Sequence, residues 1–319
     1  MWDVVCFGEL FIDLVPHTKV DGQWQYVPSP GGAPGNVAAG LAKLGHKALM
    51  VSRVGDDALG RLLIDALRGY GVDVSGIVQS ATEKAGLSIV TLDEKGDRSF
   101  VFYHDQPADL NIKPDDIRVN WLAHAKTLHL GVLPLSASTS AAAQRKAMGL
   151  AEAHGTLISC DVNFRPTLWN DPADMLAAGR EMINRSAIVK TSLEELRALS
   201  GIGDMDAAVQ ALWHENLQFF SVTRGAEGAV LYTRAGKFEC KGFKVDAIDT
   251  TGAGDAYTAS LLSGVLRGIE PEQLVNMACS GGALAASKKG AMASLPTKAE
   301  VSAFFQLASQ PWCCSKLQN

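Results

Sequence analysis

The segment Asp249-Thr250-Thr251-Gly252-Ala253-Gly254-Asp255 has the residue types needed to hold and act on a phosphoryl group. Its two glycines leave the backbone bare and able to turn, so successive N–H groups can point into one space. A helical run, residues 256–262, follows directly. Bare amides that end in a helix N-terminus, with its partial positive charge, make an anion site. Asp255 falls in the first turn of that helix. A carboxylate there can take a proton from a substrate hydroxyl, or it can simply cap the helix and complement its dipole.

A second glycine cluster, Pro30-Gly31-Gly32-Ala33-Pro34-Gly35-Asn36, runs into another helical stretch ending at Gly45. It lacks the Lys-Ser/Thr of a P-loop, and the Rossmann G-x-G-x-x-G spacing is absent, which argues against a dinucleotide enzyme. The bare amides of Gly31 and Gly32 with the amide of Asn36 could bind several hydroxyls of a polyol; a plain tight turn is the alternative. In Asp161-Val162-Asn163-Phe164-Arg165 the arginine could fork onto phosphate oxygens or form a surface ion pair. Ser192-Leu193-Glu194-Glu195 has the form of a capping box. Thr223-Arg224-Gly225-Ala226-Glu227-Gly228 follows an apolar strand and could be no more than a hairpin turn.

These segments sit in a regular alternation. Short apolar runs at 4–8, 48–54, 127–130, 157–161, 187–190, 219–223 and 229–232 read as strands. Helical periodicity at 36–44, 58–70, 139–154, 172–185, 193–199 and 205–215 separates them, and residues 256–287 are helical and rich in alanine and glycine. Apolar strands spaced by helices predict a mainly parallel sheet covered on both faces. Residues 20–28 and 85–103 break the rhythm. The second alternates like a hairpin around a turn at Glu94-Lys95-Gly96-Asp97, so the two predict a small β lid on one large domain spanning 1–319, with lid segments near 10–30 and 85–110.

Composition excludes several classes. The 29 basic and 34 acidic side chains give a net charge of −5 with no block of one sign, so nucleic-acid and polybasic membrane binding have no footprint. No apolar run is long enough to span a membrane, and the N-terminus carries Asp3, Glu9 and Asp13 within its apolar stretch, unlike a signal peptide. A cytoplasmic location is expected. The six cysteines have no C-x-x-C spacing and mostly sit in apolar runs, and the seven histidines are scattered, so no metal site of these types is predicted.

The two glycine segments together, in this order and separation, resemble the signatures of PfkB-type carbohydrate kinases, and the resemblance runs from Gly8-Glu9 at the start to Lys289–Pro296 near the end. It implies a ribokinase-like α/β fold: a doubly wound, mainly parallel sheet with helices on both faces and a small β-sheet lid. By position it implies Asp255 as general base, with Gly252, Ala253 and Gly254 as anion hole. Asp13, Gly31, Gly32, Asn36, Asn163 and Arg165 would face the sugar, with Arg98, Phe102 and Asp109 closing from the lid. Lys190, Ser192, Thr223, Gly225 and Gly228, with Gly252 and Gly254, would serve ATP. Glu195 would order a hydrated Mg2+, although Ser192 stands where the family has asparagine. Cys279 occupies a position where an asparagine often lies against adenine, with Asn276 one turn earlier. Asp249, Thr251, Ala285, Gly290 and Ser294 match a K+ loop pair.

The same resemblance implies a soluble enzyme taking ATP and a sugar as its partners, forming a homodimer through the lid. The segment 161–169, the Arg98-Ser99-Phe100 lid strand and the 289–296 ending are most similar to bacterial fructokinases. Aminoimidazole riboside kinase and 2-keto-3-deoxygluconate kinase are the alternatives. A non-catalytic sugar sensor on this fold is remote, because Asp255, both glycines and Glu195 are all kept.

Overall fold

A computed structural model describes residues 1–92, 98–103 and 107–308, and at Leu92, Arg98, Phe100, Leu307 and Ala308 it describes the backbone alone. The expected turn at 94–97, the side chain of Arg98 and the tail bearing Cys313 and Cys314 therefore lie outside the described residues.

The chain forms β1 (Trp2–Phe7), β2 (Phe11–Val20), β3 (Gln23–Gly31), α1 (Ala33–Lys43), β4 (Ala48–Gly55), α2 (Ala58–Gly69), β5 (Asp73–Ser80), β6 (Gly86–Leu92) and β7 (Arg98–Tyr103). There follow α3 (Val119–Ala123), β8 (Ala125–Gly131), α4 (Ser138–His154), β9 (Leu157–Asp161), α5 (Pro172–Asn184), β10 (Ile188–Ser192), α6 (Leu193–Ser200) and α7 (Met205–Leu212). The last third holds β11 (Phe219–Thr223), β12 (Ala229–Thr233), β13 (Gly236–Cys240), α8 (Ala253–Leu266), α9 (Pro271–Ala286), α10 (Ala291–Ser294) and α11 (Lys298–Ala308).

Nine strands make one sheet in the order β13-β12-β11-β10-β9-β8-β1-β4-β5. Its pairings are parallel from β5 to β11, and only the edge pairs β11–β12 and β12–β13 are antiparallel. Alternate residues of β1 serve opposite layers: Val4 and Cys6 pack with α1, α2, α8 and α9, while Val5 and Phe7 pack with α3 to α7. That two-sided burial is why the parallel strands read as unbroken apolar runs.

Four strands form the small sheet in the order β3-β2-β6-β7. Asp21 and Gly22, both at positive φ (50° and 79°), close the β2–β3 hairpin, and β2 joins β6 in parallel, bringing Asp13 opposite Ser88. The sequence placed the first strand at 4–8 and a lid segment near 10–30, in keeping with β1 and with β2 and β3 of the small sheet. Gly8, at φ 146°, ends β1 and lets the chain leave the large sheet for the small one. The 256–287 helical region is two helices, α8 and α9, broken at Gly268 with φ 66°. Cys6, Cys160, Cys240 and Cys279 are buried free thiols, as their apolar settings predict.

Candidate active site

From β1 the chain steps one way to β4 and β5, and the other way to β8. In a doubly wound sheet, ligands bind in the crevice outside the carboxyl ends of the strands at such a reversal. The N-terminus of α8 points into this region. Gly252, the residue capping α8, has φ 79°, and a Cβ there would stand 3.0 Å from the Ala291 carbonyl oxygen. Gly254 is exposed to the cleft, and a Cβ on it would meet only Lys190 Nζ, at 3.4 Å. Ala253 and Gly254 thus open the helix with bare amides and a lysine ammonium beside them, an arrangement suited to an anion.

Asp255 stands one residue further in. Its Oδ2 accepts a 2.7 Å hydrogen bond from Asn36 Nδ2, which joins the two glycine segments directly. Burial pushes its carboxyl up to about 6 despite the Asn36 bond, and the negative charge of Asp161 adds to the shift. The buried Lys190 ammonium donates to Asp161 Oδ1 at 3.0 Å, and Thr258 of α8 donates to Asp161 Oδ2 at 2.8 Å. Burial works against the lysine charge, but Asp161 and Glu195 outweigh it and hold the group above the usual lysine value. Lys190 therefore stays cationic beneath Gly254. The sequence reading gave Asp161 and Thr258 no part; nothing in their spacing reports that they meet in the fold.

The polyol side is built from both sheets. Asp13, buried on β2, accepts from Ser88 of β6. A Cβ on Gly31 would lie 2.7 Å from Asp13 Oδ2, and one on Gly32 would lie 2.3 Å from the Glu9 carbonyl oxygen. Both glycines are required by these close approaches. Phe102 packs edge-on against Phe11, ring centroids 6.0 Å apart, and its register places it on the Asp13–Ser88 face of the small sheet. Asn36 is 5% exposed, and its buried Oδ1 has no hydrogen-bond partner among the described residues. Asp109 departs from expectation: it is fully buried in the turn Ala108–Asn111 and offers no oxygen to the cleft. The sequence reading also missed Glu9, which accepts from Ala33 N at the start of α1. An acid inside the apolar stretch at a strand end was its one visible signal.

On the phosphate side, Asn163 takes φ 41°, an uncommon conformation for a residue with a Cβ, at the carboxyl end of β9. Arg165 is exposed, donates to the Phe164 carbonyl, and bears electrostatically on both Glu9 and Asp255. Glu195 accepts from Ser192 N at 2.7 Å and Phe164 N at 2.8 Å, while Ser192 Oγ accepts from Glu195 N. The capping box is thus real and ties α6 to the 161–165 segment. Thr223 Oγ1 donates to the Thr191 carbonyl. Gly225, at φ 59°, has open space around it, but a Cβ on Gly228 would lie 2.0 Å from the Cys240 carbonyl oxygen. Gly228 is therefore a glycine because β13 passes against it, and close approach to ATP is not needed to explain it. Cys279 is buried, and Asn276 spends its amide on the Glu272 carbonyl.

The two loops expected to hold a cation are adjacent. Asp249 Oδ1 accepts from Thr251 N and its Oδ2 from Gly290 N, both at 2.9 Å, and Ile248 N donates to the Ala286 carbonyl. Ser294 Oγ is turned to the Ala291 carbonyl, and the Ala285 carbonyl accepts from Lys288 N. A hard, oxygen-seeking cation suits this set, a carboxylate flanked by loop carbonyls.

A model of the "pfkB family carbohydrate kinase" matches residues 1–298. The chain is 34% identical to probable fructokinase-3 of Arabidopsis thaliana over 98% of this chain and 96% of that one. The structure of fructokinase with bound ATP from Xylella fastidiosa superposes with TM-score 0.90 at 30% identity, covering 97% of this chain and all of that one. A fructokinase double mutant from Vibrio cholerae O395, bound to fructose, ADP and potassium ion, superposes at 0.85 with 32% identity, over 95% and 97% of the two chains. The chain belongs to the pfkB family of carbohydrate kinases.

Proposed function

We propose that this protein is an ATP-dependent fructokinase that transfers the γ-phosphate to a primary hydroxyl of fructose. The observation that carries the reading is the Asn36–Asp255 hydrogen bond. It sets a carboxylate between the polyol-binding glycines and the bare amides of α8, where an acceptor hydroxyl and a phosphoryl group would meet. The fructokinase relatives, one holding ATP and another fructose with ADP, support the same assignment.

Phosphoryl transfer asks mainly for alignment and charge stabilisation. Asp13, Asn36 and the Gly31–Gly32 backbone orient the sugar. Asp255 takes the hydroxyl proton on its carboxylate as the bond to phosphorus forms. The amides of Gly252, Ala253 and Gly254, with the Lys190 ammonium, hold the charge on the transferred group. The lid side, with Phe102, excludes water that would otherwise take the phosphate. Glu195 would hold Mg2+ through water, where such an ion would neutralise phosphate charge. The Asp249–Thr251 and 285–294 loops would hold K+, which would stiffen the adjoining anion-hole amides.

Two coarser features extend the reading. The ladders place Tyr26, Val101 and Tyr103, all exposed, on one face of the small sheet. An exposed apolar face of this kind supports a homodimer through the lid. ATP as donor, together with buried free thiols, accords with a cytoplasmic location.

ADP release should be followed against fructose, aminoimidazole riboside, ribose and 2-keto-3-deoxygluconate, in K+ and in Na+ at equal ionic strength. Turnover with fructose, faster in K+, is expected. No ADP with any sugar would leave only a sugar-binding role, and equal rates in both salts would remove the cation site.

A further inference from the structure

The hairpin of β6 and β7 carries two groups of the sugar side, Ser88 against Asp13 and Phe102 against Phe11. Two connections tie it to the large sheet. The outgoing one, 81–85, leads from β5 to β6, and the return leads from β7 through the turns Ala108–Asn111 and Pro114–Asp116 toward α3. The two run side by side, because Ala108 N donates to the Lys84 carbonyl at 2.9 Å. Arg53, on β4 and 8% exposed, reaches both of them. One prong of its guanidinium meets the return connection: Nη1 donates to Asp116 Oδ2 at 3.2 Å. The other prong, Nη2, donates at 3.5 Å to Glu83 Oε2 of the outgoing connection and to Ser80 Oγ at its root.

The groups that Arg53 holds are themselves fixed. Ser80 Oγ accepts from the amides of Thr82 and Glu83, Thr82 Oγ1 donates to Glu83 Oε2 at 3.0 Å, and Asp116 Oδ2 also accepts from Lys113 N at 2.9 Å. As a source of stability alone the arrangement is poor. The attraction within a buried ion pair does little more than offset its desolvation, and Arg53 Nε, also buried, has no partner among the described residues. What a planar fork supplies is geometry, two carboxylates held at set places about one strand.

We propose that Arg53 is a positioning residue for the transfer reaction, a two-pronged clamp that fixes both connections of the β6–β7 hairpin to β4 and so seats Ser88 and Phe102 for the sugar. The inference rests on the fructokinase reading above. The hydrogen bonds and ion pairs of Arg53 run to residues 80, 83 and 116, so its effect passes through the hairpin and not through the phosphate side. Asp255, Lys190 and the α8 amides lie on elements the clamp does not hold.

Deuterium uptake and steady-state kinetics of the full chain test this. In Arg53→Met the amides of Ala85, Ala108 and β6 should exchange about tenfold faster than in wild type, the low end of what losing a charged hydrogen bond does, with α8 and α9 unchanged. No turnover is needed for that measurement, so it stands apart from the kinase reading. The fructose KM should rise by about tenfold for the same reason, while kcat and the ATP KM stay near wild type. Arg53→Lys should behave like Arg53→Met, since a single ammonium can meet one carboxylate but cannot span both connections. Glu83→Ala, at a side chain 19% exposed, should speed the same exchange and raise the fructose KM, and should add nothing when combined with Arg53→Met. Unchanged exchange in Arg53→Met, full recovery in Arg53→Lys, or a further KM rise in the double variant overturns the clamp. Faster exchange with an unchanged fructose KM overturns the positioning role and leaves a structural ion pair. If Arg53→Met fails to fold, Glu83→Ala decides: wild-type exchange and KM in that variant overturn the proposal. A wild-type chain inactive on fructose would end the substrate reading; exchange would still decide the clamp, and the KM of whichever sugar is phosphorylated would decide the positioning role.

Discussion

From the seven residues 249–255 alone, Asp255 could be read either as a base beside an anion site or as a helix cap, and only the family resemblance favoured the first. What surrounds it was not legible. Asn36, Asp161 and Lys190 meet it only through the fold, and their local patterns fit turns and strand ends equally well. Replacing Asp255 by Asn should leave binding of ATP and sugar nearly intact while kcat falls by about 10²–10⁴, the usual contribution of a positioned base. A kcat near wild type in steady-state assays would take the base role away. The acid form of Asp255 cannot accept the hydroxyl proton, and its carboxyl is raised to about 6. Activity should therefore be low in acid and rise with pH through an apparent value near 6. A kcat/KM profile flat from pH 5 to 8 would contradict that assignment.

At the scale of elements, the fully covered strands were read correctly and the edges were not. β5 is only partly buried along its length and β13 is mostly exposed, so neither has the unbroken apolar run that marks an interior strand. Most helices announced themselves by periodicity, α3, α10 and α11 excepted, but not how closely they approach. The α1–α8 contact sets the Asn36–Asp255 distance, and it depends on a missing side chain: a Cβ on Gly40 would stand 2.7 Å from the Cβ of Ala259. Gly40→Val should force the helices apart and cost about 1–3 kcal/mol, the range for overpacking a filled core. Because Asn36 lies one turn before Gly40, kcat should fall as well, even at temperatures where the variant is fully folded. Denaturant melts with activity measured on the same samples test this. An unchanged midpoint would mean that the interface has slack, and normal activity in a destabilised variant would uncouple the contact from the site.

At the scale of the whole molecule, the alternation of strands and helices implied the large sheet, whereas the small sheet depends on pairing between distant segments. β2 meets β6 across more than seventy residues of sequence, and only this parallel ladder places Ser88 against Asp13. The same ladder lines up Tyr26, Val101 and Tyr103, so Tyr103→Lys should convert a sedimenting dimer to monomer. A wild-type chain that already sediments as a monomer would refute the dimer face. Substrate choice also follows from this larger arrangement. On the proposed reading Asp13, fixed by Ser88 and backed by Gly31, would accept from sugar hydroxyls, and Asn36 Oδ1, buried and unpartnered among the described residues, would be a second acceptor. A furanose that supplies hydroxyls to both satisfies them; a ligand lacking one leaves a buried oxygen bare. Sites built on such pairs can discriminate by about 10⁴ or more in kcat/KM. Fructose should therefore be strongly preferred over ribose, aminoimidazole riboside and 2-keto-3-deoxygluconate when each competes for the same enzyme. Asp13→Ala should narrow that preference, since it removes the acceptor that a poorer ligand leaves unmet. A higher kcat/KM for any of the other three would reassign the substrate while leaving the kinase chemistry of Asp255 untouched.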